Sequence, residues 1–184
     1  MMEVEPPMPV ISVITPTYNR PNTVAELLEA LSRQTFRDFE VLLVNDAGEP
    51  VDDVVRHYPE LNVHIVNMPV NSYHVWARNA AIPLVRGEWI MPIDDDDLIV
   101  PDHMEVMLKE AQDADLVYGD AEIFDYVLKG GLRHPISRFL FAYRHDPDLF
   151  RRYNTYVPSG SLYRRSLHDR LGLFDPEMRN YWDW

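Results

Sequence analysis

An α/β fold with a mostly parallel sheet is the architecture this sequence predicts, on three observations. Short apolar runs rich in β-branched residues alternate with segments whose apolar residues recur at helical spacing. The strand-like runs are apolar almost continuously, as strands buried on both faces are, rather than apolar at every second position. The 184 residues suit one domain with a real core, and a 46% hydrophobic content is that of an ordinary globular chain.

The elements follow in order. "VISVIT" (Val10 to Thr15), bounded by prolines, reads as a buried strand. After "PTYNRPN", Val24, Leu27, Leu28 and Leu31 fall at i, i+3, i+4 and i+7, one face of a helix. "FEVLLVND" (Phe39 to Asp46) is a second buried strand, broken by "AGEP". "VDDVVRHY" reads as a short helix and "NVHIVN" (Asn62 to Asn67) as a third strand. A helix from Val75 to Val85 ends at Arg86-Gly87, and the strand "EWIMPI" follows. Asp102 can cap the next helix, with Glu105 completing a capping box, and Met104, Met107, Leu108 and Ala111 form its apolar face. Beyond Leu116 the alternation weakens, and "DLVYGDAEIFDYVLKGGLRH" suggests strands around a Gly130-Gly131 hairpin turn.

Composition excludes several function classes. Lys+Arg 17 against Asp+Glu 30 gives a net charge of −13, the wrong sign for a phosphate backbone or for charge-driven docking on anionic lipid. With no cysteine there is no disulfide, thiolate metal site or cysteine nucleophile. No apolar run approaches the roughly 18 residues of a membrane span. The opening "MMEVEPPMP" is acidic and proline-rich, unlike a secretory leader. A cytoplasmic protein is expected, with any membrane association peripheral and at the inner face.

The chemistry-bearing feature is "WIMPIDDDDLIVP" (Trp89 to Pro101), where a buried strand ends in four aspartates. Adjacent carboxylates repel by about 4 kcal/mol at 4 Å near a protein surface. In open α/β sheets ligands bind beyond the carboxyl ends of strands, and Asp46 ends a second strand at that edge. If the extended conformation continues, Asp94 and Asp96 share one face and Asp95 and Asp97 the other. Two carboxylates on one face suit Mg²⁺ or Mn²⁺, with positions left for substrate phosphates. A solvated acidic turn is the plainer reading of the run alone. An EF-hand is disfavoured by Leu98, and no G-x-x-x-x-G-K-[ST], G-x-G-x-x-G or G-x-S-x-G string is present.

"VITPTYNRP" before a helix, "EVLLVNDAG", "ARNAAIPLVRGEWIMPIDDDDLIVPDHM" and "GLFDPEMRNYWDW" together resemble the inverting glycosyltransferases of family 2, with the GT-A fold. The four blocks span nearly the whole chain in the family's order. The resemblance implies transfer of a sugar from a nucleotide-diphosphate sugar, with a UDP-sugar favoured, to a carbohydrate or glycolipid acceptor hydroxyl in polysaccharide or glycoconjugate synthesis. It implies Mn²⁺ or Mg²⁺ as cofactor. It assigns Pro16, Thr17, Tyr18 and Arg20 to the nucleotide base, Asp46 to a base hydrogen bond and Arg78 to the nucleotide or diphosphate. Asp94 and Asp96 match the D-x-D motif, Asp94 near the ribose and Asp96 on the metal, with Asp95 beside them and Asp97 shaping the loop. Tyr18 and Asp46 are expected to recognise the base without supporting the fold.

Asp183 matches the last signature, as general base toward the acceptor. Trp182 stands where the family usually has glutamate, which leaves acceptor-side detail open. The chain is expected to be a single catalytic domain over 1–184, with a nucleotide-binding part at about 9–100 and an acceptor-side part at about 101–184 that is incomplete. A nucleotidyltransferase is disfavoured because "PTYNRPN" is not a glycine-rich basic loop. A sugar-nucleotide-binding module without turnover is the alternative from another class.

Overall fold

Strand β1 (Ile11–Thr17) leads into helix α1 (Pro21–Ser32), then β2 (Phe39–Asn45), the single turn α2 (Asp52–Val55) and β3 (Val63–Asn67). Helix α3 (Tyr73–Ala81), β4 (Trp89–Pro92), α4 (His103–Glu110) and the short β5 (Leu116–Val117) follow. Then come a hairpin of β6 (Ala121–Lys129) and β7 (Leu132–Phe141), α5 (Pro147–Phe150), β8 (Leu162–Arg164) and α6 (Ser166–Leu171). This computed structural model describes residues 8–178. Six strands form one sheet in the order β3-β2-β1-β4-β8-β5, and β6-β7 is a separate two-stranded ribbon. The pairs β1–β2, β1–β4 and β2–β3 are parallel, while β8 runs antiparallel to β4 and β5. The predicted class, α/β with a mostly parallel sheet flanked by helices, is the class observed.

Period-two alternation sorts the strand residues onto two buried faces. Ile11, Val13, Val41 and Leu43 join Val24, Leu27, Leu28 and Leu31 of α1 and Met104 and Met107 of α4 in one cluster. Ile14, Leu42 and Val44 meet Ala77 and Ala81 of α3 on the other side. Each such side chain contributes about 1.5–3 kcal/mol by leaving water. At the end of the α3–β4 connection the backbone passes so close to β1 that a Cβ on Gly87 would lie 2.7 Å from the Ser12 amide nitrogen.

Two local expectations are corrected. Helix α3 stops at Ala81, and Ile82–Leu84 form a 3-10 turn. Pro83 explains this, since its ring clashes with the carbonyl four residues back and it lacks an N–H. At α4 no capping box forms: Asp102 makes no side-chain cap bond, and Glu105 Oε2 accepts from Thr35 Oγ1 at 2.7 Å instead. Gln34, fully buried, serves that helix end, its Oε1 accepting from the Met104 amide at 3.2 Å while its Nε2 donates to the Val100 carbonyl at 2.8 Å. The hairpin turn is as predicted, with Gly130 and Gly131 at φ 60° and 82°, the left-handed values a two-residue turn requires.

One charge lies inside this frame. Glu40 on β2 is fully buried, accepts from Ser12 Oγ at 2.6 Å and pairs with Arg86 at 2.6 Å. Burial pushes its carboxyl up, but the hydrogen bonds from Ser12 and Arg86 outweigh that and hold it below the ordinary range. A lowered native pKa means stability that is present above the unfolded value, about 4.3, and lost as pH falls through the native one. Glu40→Gln should therefore lower stability at pH 7 by about 1–3 kcal/mol. Urea melts of parent and variant across pH should show that difference shrinking below about pH 4.

Candidate functional site

The strand register brings three chain segments to one edge. Thr17 at the end of β1 pairs with Asn45 of β2, and Ile14 pairs with Pro92 at the end of β4. The Asp46 amide still donates to Thr17 O, and the Ile93 amide to Ile14 O. The β1–α1 loop, Asp46 and the aspartate run thus emerge side by side at the carboxyl edge.

Beyond Ile93 the extended conformation ends, which corrects the expected division of the aspartates between two faces. Asp94 to Asp97 make a turn, closed by the Asp97 amide donating to Asp94 O at 3.1 Å. The Asp94 amide donates to Ser159 Oγ at 3.0 Å. Each of the first three carboxylates has a cationic partner, and two of them share one. Asp94 pairs with Arg78 of α3, an arginine only 3% exposed. Asp95 is buried, accepts from Thr17 Oγ1 at 2.7 Å and pairs with Arg20 at 3.1 Å. The same Arg20 Nη1 reaches Asp96 at 2.9 Å, and Asp96 remains half exposed. Burial raises the Asp95 carboxyl above the ordinary carboxylate range, against the opposing hydrogen bond of Thr17 and the charge of Arg20.

A cleft of about 790 Å³ opens over this turn, within the size range of small-molecule sites. Its walls include Pro16, Thr17, Tyr18, Arg20, Asp46, Arg78, Asp94, Asp95 and Asp96, so all nine residues expected on the donor side meet in one place. Tyr18 lines the cleft with 47% of its surface exposed. Asn71, Tyr73 and His74 also line the cleft and were missed by the sequence reading. Their signal was positional, because they connect a strand's carboxyl end to the next helix. Asp183, with Trp182 and Trp184, lies outside the described residues.

The backbone around the cleft is unusual. The non-glycine residues at positive φ among those described are Asn19, Ala47 and Tyr73, at 55°, 60° and 68°. Tyr73 lines the cleft and Asn19 and Ala47 each adjoin lining residues in sequence, and strain commonly gathers at functional sites. Tyr73 is held there by its own amide, which donates to Asp46 Oδ2 at 2.8 Å, while the Ser72 amide donates to Asp46 Oδ1 at 2.8 Å. The expectation that Asp46 plays no part in the fold is therefore corrected: its carboxylate fastens the start of α3. Among the described residues, no group of three or more histidines, cysteines or acids is arranged to hold a metal ion.

Losing these two charge-assisted bonds should cost about 1.5–3 kcal/mol each at most. Calorimetry of Asp46→Ala should show the melting temperature falling by roughly 6–24 °C, at about 2–4 °C per kcal/mol for a chain of this size. An unchanged melting temperature would return Asp46 to a purely ligand-facing role.

Comparisons with known proteins agree with this geometry. Residues 12–172 match the model of glycosyl transferase family 2. A Bacillus subtilis (strain 168) protein named uncharacterized glycosyltransferase YwdF is 51% identical over 174 residues, covering 95% of this chain and 65% of its own length. S. aureus TarS 1-349, solved in complex with UDP, superposes with TM-score 0.66 at 24% identity, over 94% of this chain and 52% of its own. The mannosyltransferase PcManGT from Pyrobaculum calidifontis, solved with GDP-Man and Mn²⁺, gives TM-score 0.65 at 23% identity, over 93% and 49%. The chain thus spans about two thirds of the relative and half of the solved proteins, and shares their GT-A-like fold. With the family match covering most of its length, the chain belongs to glycosyl transferase family 2.

Proposed function

We propose that this chain is the donor-binding part of an inverting glycosyltransferase that moves a sugar from a nucleotide-diphosphate sugar to an acceptor hydroxyl. The observation that carries the reading is the meeting of Tyr18, Asp46, Arg20, Arg78 and the Asp94–Asp96 carboxylates in one cleft at the sheet's carboxyl edge. The UDP bound to TarS and the GDP-Man bound to PcManGT support the ligand class. UDP-sugars are the first donors to test.

Tyr18 offers a base-stacking face, worth about 1–3 kcal/mol by analogy with other nucleotide sites. Arg78 supplies positive charge for a diphosphate, and Arg20 lines the cleft with Tyr18 on the loop assigned to the base. The Mn²⁺ in PcManGT supports a divalent cofactor. The residues here fit such a cation only in part: Asp96, with Asp94 beside it, offers hard oxygen donors, and the remaining ligands would come from phosphate and water, as is usual for Mg²⁺. When bound, the cation supplies charge neutralisation for the departing diphosphate.

In a single displacement the acceptor oxygen forms the new bond to the anomeric carbon as the bond to the diphosphate oxygen breaks, inverting that centre. Arg78 stabilises the charge gathering on the leaving group. Asp183, by its place in the last family signature, is the base that takes the acceptor proton, a role typically worth about 10²–10⁴-fold. The acceptor we assign is a hydroxyl of a growing polysaccharide or glycoconjugate.

Isothermal titration of UDP into parent and Asp96→Asn protein, each with Mn²⁺ or chelator, tests the donor side. The parent should bind tighter with Mn²⁺, and the variant should lose that stimulation. Equal stimulation in both would remove Asp96 from the cation site. Asp183→Asn should keep UDP binding and lower transfer; transfer at the parental rate would move the base elsewhere.

A further inference from the structure

The function proposed above uses the aspartate carboxylates and leaves open what holds their backbone. Arg133, on β7 two residues past the Gly130-Gly131 turn, is mostly buried, with 11% of its side chain exposed. Its Nη1 donates to the main-chain carbonyl of Asp96 at 2.8 Å. Its Nη2 forms an ion pair with Glu26 of α1. Its guanidinium sits 5.7 Å from the ring centroid of Tyr126 on the paired strand. One planar side chain thus joins three pieces distant in sequence: the acid turn, the helix after the first strand and the hairpin. Arginine suits that task, since its fork presents donors in fixed directions to two acceptors at once, which a lysine ammonium does not.

Resting on the donor-site reading, we infer that Arg133 is a positioning residue for the acid turn, fixing the Asp96 peptide against α1 so that the Asp96 carboxylate keeps its place in the cleft. Arg20 and Arg78 pair with the Asp94, Asp95 and Asp96 carboxylates, whereas Arg133 donates to backbone there and acts on the Asp97 carboxylate through its charge. The turn is also closed by the Asp97 amide to Asp94 O and tied to Ser159 through the Asp94 amide and the Asp97 carboxylate. None of those bonds engages the Asp96 carbonyl. Without Arg133 that peptide would be held only through its Asp97 N–H, and Glu26 would lose its ion-pair partner. The hairpin would also lose a tether to the cleft, which makes it the element that carries this anchor to the donor site.

The test substitutes Arg133→Gln and, separately, Glu26→Gln, the second being the milder change should the first impair folding. Two quantities are read in the whole chain: hydrogen exchange over residues 94–98 without ligand, and the Mn²⁺ concentration giving half-maximal UDP binding. Outer partners that orient metal ligands typically change metal affinity by about 10–100-fold. Arg133→Gln should speed exchange in the turn and raise the Mn²⁺ requirement about 10-fold, with UDP affinity in chelator unchanged. Glu26→Gln should shift both in the same direction by less. A general loss of packing would instead weaken UDP binding equally with and without Mn²⁺, and that result would overturn the inference. So would parental exchange and an unchanged Mn²⁺ requirement in both variants. A parent chain whose UDP binding ignores Mn²⁺ would overturn the donor-site reading itself, and this inference with it.

Discussion

Four consecutive aspartates at the end of a buried strand are tolerable only because arginines from remote segments come to them. Arg20 arrives on the β1–α1 loop, Arg78 on α3 and Arg133 on β7, and the first two take three carboxylates between them. Unpaired, neighbouring carboxylates near a surface would oppose one another by about 4 kcal/mol at 4 Å. The sheet order sets this meeting: β1 lies next to β4, so the loop after one strand faces the turn after the other. Helix α3 packs against β1 and β2 through Ala77 and Ala81, which turns Arg78 inward.

The sheet's two ends carry charge in opposite ways. Near the start of β2, Glu40 is sealed in and matched by Ser12 and Arg86, an arrangement that serves only the fold. At the far end the acids are graded by exposure, from buried Asp95 to half-exposed Asp96. The same ion-pair chemistry thus builds a closed joint in one place and an open surface in the other, and access to solvent makes the difference.

Most of the architecture was legible in the residues. Alternating apolar runs located the four parallel strands and both major core helices, and Val24, Leu27, Leu28 and Leu31 are all buried as their spacing demands. The cleft's acids were legible because a parallel sheet binds at its carboxyl edge and they mark that edge, while Pro16, Thr17, Tyr18, Arg20 and Arg78 were legible only through the family resemblance. What could not be read depended on partners distant in sequence. Thr35 drew Glu105 away from a capping box. The Asp97-to-Asp94 bond replaced an extended strand with a turn. Arg133 lies 37 positions after Asp96, and no local pattern ties it to the acid turn. Asp46 was taken for a pure recognition residue because the two amides it accepts from belong to a segment 26 and 27 residues later.

Ala47 shows what such a site asks of its loops. Alanine at φ 60° sits where its Cβ crowds the backbone, a penalty of roughly 1–2 kcal/mol that glycine would escape. Beside it, Gly48 admits no side chain, because a Cβ would fall 2.6 Å from the Asn19 amide nitrogen. Of two adjacent positions one has no steric room to vary, while the other could be relaxed by a single substitution. Mutational tolerance along this loop is therefore expected to alternate sharply from residue to residue. Gains in heat resistance at position 47 would slacken the very backbone that aims Asp46, so the loop is a place where durability and recognition draw on one reserve.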